Sequence, residues 1–298
     1  MTGAAIQSLP SAIADATRLA ARLGVPAQEI ALHRFPDGEL SVTVGPAAAT
    51  TILYVPLDRP NDKLLALLFA AEALRRAGAR RLVLAAPYLC YMRQDAAFHA
   101  GEAISQKAVG RLIAEIVDRV ITVDAHLHRT KNIEEVFPGI EAADLSAMPV
   151  IADYLRAIGF DPATVVAGPD AESEPWVGDL ARRLNLAHAV ARKTRRGDRS
   201  VEIAFADPKM LAGRPVLLVD DIVSSGGTLM TCAKALAAAG AKSVDVIVTH
   251  ALFAPELVGK LFEAGIRSVK STNSVPHPTN AVALDGVLAD ALRKEIAA

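Results

Sequence analysis

In VLLVDDIVSSGGTLMTCAKAL, residues 216–236, an apolar run stops at two adjacent carboxylates, Asp220 and Asp221. Small hydroxyl residues and a Gly-Gly pair follow, and an alanine-rich helical pattern begins. Gly226 and Gly227 allow backbone N–H groups to come close to a ligand, and the helix that follows presents its positive N-terminus. Together they form a cradle for phosphate. Ser224, Ser225 and Thr228 can add hydroxyl donors. One aspartate can hold sugar hydroxyls while the other helps to place a hydrated Mg²⁺. A strand, an acidic turn and a capped helix would account for the cap, but not for two carboxylates beside two glycines.

Four further stretches carry reactive side chains. In VDAHLHRT (123–130), Asp124 and His126 stand two residues apart. On an extended strand end that spacing points both to one side, where they can meet one metal or its water shell. His128 repeats the period, but no third soft ligand lies near it to support zinc. ARKTRRGDRSVEI (191–203) places five Lys or Arg within residues 192–199, a basic loop between two short apolar runs. RFPDGELSV (34–42) reads as a Pro-Asp-Gly turn between two strands. APYLCYMRQDAAFHAGEAISQKAVGRLIAE (86–115) carries Arg93, whose planar donor fork suits phosphate oxygens.

These residues need a scaffold, and the rest of the chain describes one. Of 298 residues, 52% are hydrophobic and 22% charged, enough to bury a sizeable core and to exclude disorder. The net charge of −1 provides no global field for nucleic acid or an anionic membrane, so an anionic ligand must be held locally. No apolar run reaches the roughly 18 residues of a membrane span, and no signal peptide is expected. Two cysteines, Cys90 and Cys232, lie in or beside apolar runs and fit a reduced, cytoplasmic setting.

Short apolar runs at 51–57, 81–88, 119–124, 164–170, 215–221 and 243–253 alternate with helical patterns, several ending at glycine. Near-continuous apolar strands between helices predict parallel sheets covered on both faces. Each half runs strand, turn, helix, strand, and each has a strand ending in acid, at Asp124 and at Asp221. We therefore expect two similar α/β domains, residues 1–143 and 144–298, divided within EVFPGIEAADLS (135–146). Ligands in such sheets gather at the C-terminal ends of the strands.

VLLVDDIVSSGGTL resembles the ribose 5-phosphate loop of the type I phosphoribosyltransferase fold, and the other stretches narrow the resemblance to ribose-phosphate pyrophosphokinases, the PRPP synthetases. RFPDGE resembles that family's FxDGE loop, and YMRQD with GEAIS its RQD segment. TVVAGPDAESEPW (164–176) is similar to its SPDxGG segment, and STNSVPH (271–277) to its TNTIP segment. The resemblance spans nearly the whole chain and implies transfer of the β,γ-diphosphoryl group of ATP to the C1 hydroxyl of ribose 5-phosphate, giving PRPP and AMP. It assigns ATP to Phe35, Asp37, Gly38, Glu39, Arg93, Gln94 and Asp95, with Phe35 offering a flat face to adenine. Ribose 5-phosphate falls to Asp220, Asp221, Ser224, Ser225, Gly226, Gly227 and Thr228. It also implies Mg²⁺ at His126 and Asp170, with Asp124 alongside, and catalytic cations at Lys193 and Arg195 on a mobile loop.

A homo-oligomer, dimer or higher, is expected because the family usually builds its ATP site at a subunit interface. The chain departs from the commonest bacterial form at Ala96 and Ala97, where Arg-Lys is usual, and at Ser224, where Asp is usual. Glu172 and Ser173 stand near the family glycines. The wording is closest to the short archaeal-type branch. A phosphoribosyltransferase that consumes PRPP would need neither FPDGE nor RQD. A non-catalytic regulatory homologue would have lost Lys193, Arg195, His126 or Asp170, all of which are present.

Overall fold

Apolar runs of five or six residues separated by amphipathic helices can satisfy their backbone only by pairing side by side under a helical cover. The computed structural model describes residues 3–196 and 200–296, with side chains outside 193–202, and it divides the chain into two compact units. The first unit holds residues 1–146, 274–276 and 284–298, and the second holds 147–273 and 277–283.

The first unit runs β1 (Ala4–Ser8), α1 (Ile13–Leu23), β2 (Ala27–Glu29), β3 (Ala31–Arg34), β4 (Leu40–Thr43) and β5 (Thr50–Tyr54). It continues through α2 (Pro60–Arg76), β6 (Arg81–Ala86), α3 (Ser105–Ile116), β7 (Arg119–Val123) and β8 (Glu141–Leu145). Its sheet has the order β2-β1-β5-β6-β7-β8, and every pair in it is parallel. β3 and β4 form a separate antiparallel hairpin. Strands β5 and β7 are buried from end to end, as a sheet covered on both faces requires.

The second unit runs α4 (Met148–Ile158), β9 (Val165–Gly168), α5 (Glu174–Leu184), β10 (Ala187–Arg196), β11 (Ser200–Phe205) and β12 (Pro215–Val223). Then come α6 (Gly227–Ala238), β13 (Ser243–Ala251), α7 (Leu257–Glu263), β14 (Ile266–Thr272) and β15 (Asn280–Val282). The order β11-β10-β9-β12-β13-β14-β15 is parallel except at β10–β11. Val216 and Leu218 of β12 and Val246 of β13 pack under Leu229, Cys232 and Leu236 of α6. The basic stretch expected as a loop is thus largely an antiparallel ribbon: Lys193 pairs with Ile203 and Arg195 with Val201.

The last helix, α8 (Asp285–Ile296), departs from the expected division: it belongs to the first unit, where it packs along α1. The cause is electrostatic as well as apolar. Arg119, at the start of β7, pairs with Glu295, and both side chains are less than a tenth exposed. Arg81 joins the same carboxylate from β6, and Arg22 of α1 bonds Asp285. Burial alone would raise the Glu295 carboxyl, but the hydrogen bonds from Arg81 and Arg119 outweigh it and hold the group below the usual carboxylate range.

Removing one member of a buried pair strands the other charge, at a cost of about 3–5 kcal/mol. Glu295→Ala is therefore expected to lose stability of that order in chemical denaturation at pH 7. In the wild type this contribution is full above the ordinary glutamate pKa of about 4.3. It fades as pH falls through the lowered folded-state value, so the variant should show a shallower acid limb. A variant as stable as the wild type would contradict the role assigned to the pair.

Candidate active-site loops

In the first unit, three neighbouring parallel strands are followed by a non-glycine residue with positive φ. These are Arg59 after β5 (φ 46°), Tyr91 after β6 (φ 62°) and Asp124 at the end of β7 (φ 41°). Such conformations cost about 1–3 kcal/mol each and collect where function requires a particular geometry. Asp124 is buried and its N–H donates to the Leu145 carbonyl at 2.8 Å. Its turn breaks the strand at Val123, so the alternation that would set Asp124 and His126 on one side of an extended strand does not apply. Instead the next residue, Ala125, is fixed by its N–H donating to the Asp144 carboxylate at 2.9 Å.

The loop after β6 is held by its own polar groups. The Gln94 carbonyl oxygen accepts from Ser105 Oγ at 2.7 Å, and its amide donates to Glu102 at 3.2 Å. Glu102 also accepts the Phe98 and His99 N–H groups, which lower its pKa. Asp95, expected at the nucleotide, is buried, and its carboxylate accepts the Arg129 N–H at 2.9 Å and the Arg129 guanidinium at 2.8 Å. That aspartate joins two strand-end loops. Arg93 is exposed on the same loop. Tyr91 Oη donates to Asn61 at 2.6 Å, joining this loop to the start of α2.

RFPDGE forms the tip of the β3–β4 hairpin. Gly38 (φ 97°) donates to the Phe35 carbonyl, Phe35 N–H donates to Glu39, and Asp37 Oδ1 accepts the Glu39 N–H at 3.1 Å. Phe35 is exposed, its ring edge-on to His33 at 4.7 Å. Arg34 bonds Asp62 and so ties the hairpin to α2.

In the second unit the acidic strand ends come together. Asp221 is buried and Asp220 half-buried at the end of β12. Burial first, then the charges of Asp221 and Asp170, drive the Asp220 carboxyl well above the usual carboxylate range. Asp170 follows β9, the strand beside β12, and one of its oxygens caps the Glu172 N–H at 3.1 Å. Where the family glycines were expected, Ser173 is buried and donates Oγ to the Asp170 carbonyl at 2.5 Å. Its hydroxyl fills the space that a Cβ on Gly168 would occupy, only 2.0 Å away.

The Ser224–Thr228 loop turns through Gly226 (φ 72°), and the N-terminus of α6 has no side-chain cap. A glycine N-cap brings no side chain of its own to the first N–H groups of this 12-residue helix, which suits an anion cradle. A Cβ at Gly226 would lie 2.7 Å from Leu257, whereas one at Gly227 would meet nothing closer than 3.8 Å. Packing thus demands glycine at 226 but leaves the space at 227 open.

A ribose-phosphate pyrophosphokinase of Methanopyrus kandleri is 32% identical over 279 residues, covering 92% of this chain and 94% of its own length. The chain belongs to the ribose-phosphate pyrophosphokinase family. Ribose-phosphate pyrophosphokinase 2 of Archaeoglobus fulgidus is 34% identical over 268 residues, 89% of this chain and 92% of the relative. The descriptions "N-terminal domain of ribose phosphate pyrophosphokinase" and "Phosphoribosyl transferase domain" match residues 4–116 and 147–261. The crystal structure of phosphoribosylpyrophosphate synthetase from Mycobacterium smegmatis superposes with a TM-score of 0.84 at 25% identity, covering 99% of each chain.

Within this pyrophosphokinase scaffold the expected residues fall at strand ends: Arg93, Gln94, Asp124 and His126 in the first unit, Asp170 and Asp220–Thr228 in the second. Lys193 and Arg195 lie on β10, and their side chains are outside those described. Arg59, Tyr91 and Arg129 were not anticipated. Pro60 after Arg59 was a readable helix start, but a left-handed φ on Arg, Tyr or Asp leaves no mark in composition.

Gly226→Ala would force alanine into left-handed φ against Leu257. We expect it to lower unfolding stability by about 1–3 kcal/mol. An unchanged denaturation midpoint would show that the turn relaxes without loss.

Proposed function

We propose that this ribose-phosphate pyrophosphokinase family member transfers the β,γ-diphosphoryl group of ATP to the C1 hydroxyl of ribose 5-phosphate, giving PRPP and AMP. The observation that carries the reading is similarity over nearly the whole chain to pyrophosphokinases, through both family domains rather than the transferase domain alone. That extent favours it over a transferase that consumes PRPP.

Ribose 5-phosphate is assigned to the second unit. Its phosphate sits on the Ser224–Thr228 loop, against the glycine-capped start of α6. Asp221 and Asp220 accept from the sugar hydroxyls. ATP is assigned to the first unit, with Arg93 at its phosphates, Gln94 and Asp95 shaping the loop, and the 35–39 hairpin tip at its base. The anomeric oxygen attacks the β-phosphorus in line, the bond from that phosphorus to the α-phosphate oxygen breaks, and AMP departs. Holding the reactants in such a geometry accounts for much of the acceleration. Lys193 and Arg195 stabilise charge on the transferring oxygens.

Burial first, then the charges of Asp221 and Asp170, raises the Asp220 carboxyl, and carboxylate oxygens suit a hard divalent cation such as Mg²⁺. Among the described residues no three His, Cys, Asp or Glu side chains are gathered to hold a metal by themselves, so the ion would keep water and substrate oxygens as ligands. Asp170 in the second unit, and His126 and Asp124 in the first, are the candidate metal ligands, and a bound ion would neutralise phosphate oxygens. Among the described residues no helix is long and apolar enough to cross a membrane. Free, buried Cys90 and Cys232 agree with a reduced cytoplasm. Exposed Leu65 and Phe69, four apart on α2, and Leu112 on α3 support assembly into a dimer or larger homo-oligomer.

Incubation with ATP, ribose 5-phosphate and Mg²⁺ is expected to release AMP and PRPP in equal amounts, followed by coupled assay and phosphorus NMR. Folded protein that yields neither product would refute the reading. Lys193→Ala should lower kcat by about 10³-fold or more, the scale of cationic clamps in phosphoryl transfer, with an unchanged circular dichroism spectrum. Wild-type turnover in that variant would remove Lys193 from the mechanism.

A further inference from the structure

Strand alternation gives the second sheet two unlike faces. Val216, Leu218 and Val246 pack under α6, whereas Leu217 and Ile247 alternate with them and line a cavity of about 290 Å³. Tyr154 and Ile158 of α4 line the same cavity, and Ile158 is 59% exposed, which puts it at the mouth. None of the residues assigned to ribose 5-phosphate, ATP or Mg²⁺ belongs to this lining.

The polar part of the lining carries an excess of positive charge. Lys242, Arg267 and Lys270 stand against Asp161 and Asp245, three cations to two acids. The Arg267 guanidinium takes both Asp245 oxygens, one of which also accepts from Ser268 Oγ at 2.7 Å. Asp161 Oδ1 accepts the Ala163 N–H at 2.8 Å. Among the described residues neither lysine side chain has an acidic partner. Ser243 Oγ, also of this lining, is buried and has no hydrogen-bond partner among the described residues. Buried hydroxyls are seldom left so.

Apolar walls with a few convergent polar groups are the make-up of small-molecule sites, and 290 Å³ is close to the lower end of their size range, roughly 300–1,000 Å³. We propose that this cavity binds a small organic anion: an apolar body carrying one carboxylate, sulfonate or phosphate group. The head lies on Lys242 and Lys270, and the body lies between α4 and the Leu217–Ile247 floor. The excess charge sets the sign of the ligand, and the volume sets its size. The inference does not rest on the diphosphoryl-transfer reading and fails or stands apart from it.

Two dyes with one body test it on the full chain: 8-anilinonaphthalene-1-sulfonate, and N-phenyl-1-naphthylamine, which lacks the sulfonate. The sulfonate dye is expected to bind one per chain by fluorescence titration, undisplaced by saturating ATP or ribose 5-phosphate. The double variant Lys242→Ala/Lys270→Ala should weaken it about tenfold or more, the scale of a charge-assisted hydrogen bond. The neutral dye should bind that variant as it binds the wild type. Ile158→Asp, which sets a carboxylate at the mouth, should weaken the sulfonate dye as well. All three positions are exposed, so the denaturation midpoints should stay at the wild-type value. Unchanged sulfonate affinity in the double variant would overturn the proposal. Displacement by ATP or ribose 5-phosphate, or equal weakening of both dyes in the double variant, would overturn it too.

Discussion

Parallel pairing is the constraint from which the rest of this molecule follows. A parallel strand cannot turn directly back into its neighbour, so each must be followed by a crossover, and both sheet faces acquire helical cover. All strand C-termini in a sheet then lie along one edge, and the loops leaving that edge are the places where backbone and polar groups escape the core. Both units obey this rule in their parallel strands, β11 alone in the two large sheets running the other way. In the first, β5, β6 and β7 run into the loops bearing Arg59, Arg93 and His126. In the second, β9 runs into the loop bearing Asp170, and β12 carries Asp220 and Asp221 near its end before the Ser224–Thr228 loop.

The two edges store their cost in different forms. The first stores it in backbone: three side-chain-bearing residues at positive φ, two of them held by contacts, Tyr91 to Asn61 and Asp124 to Leu145. The second stores it in charge, with Asp220 held against Asp221 and Asp170 in a half-dry strand end. Strain and repulsion of this kind persist only because the surrounding sheet over-determines them. Each is relieved by a ligand of the right sign and shape. A cationic, aromatic edge suits a nucleotide, and a carboxylate edge beside a glycine-capped helix N-terminus suits a hydroxylated sugar phosphate with a divalent cation.

Much of this was legible in the chain. The apolar run in VLLVDDIVSSGGT marks the buried parallel strand β12, which the structure carries two residues past Asp221, with Asp221 and Val223 buried. Three features were not legible, each for a physical reason. Residues 191–203 look like a basic loop because charge hides strand propensity, yet β10 and β11 pair there. Asp124 and His126 look coplanar by period, but the alternation ends at Val123 because Asp124 takes a left-handed turn. The helix at 285–296 looks like the end of the second half, but Glu295 finds Arg119 a distance of 176 residues back along the chain. Long-range ion pairs leave no local pattern. The change from glycine to Ser173 could be seen in sequence, but its consequence, a hydroxyl packed over Gly168, required the structure.

The central claim is that the sugar's anomeric oxygen attacks the β-phosphorus of ATP. Ribose 5-phosphate freshly labelled with ¹⁸O at C1 tests it most directly. Phosphorus NMR should place the label in the bridge between C1 and the β-phosphorus-derived group of PRPP, with none in AMP. Label appearing in AMP, or PRPP formed with an unlabelled bridge, would contradict the account.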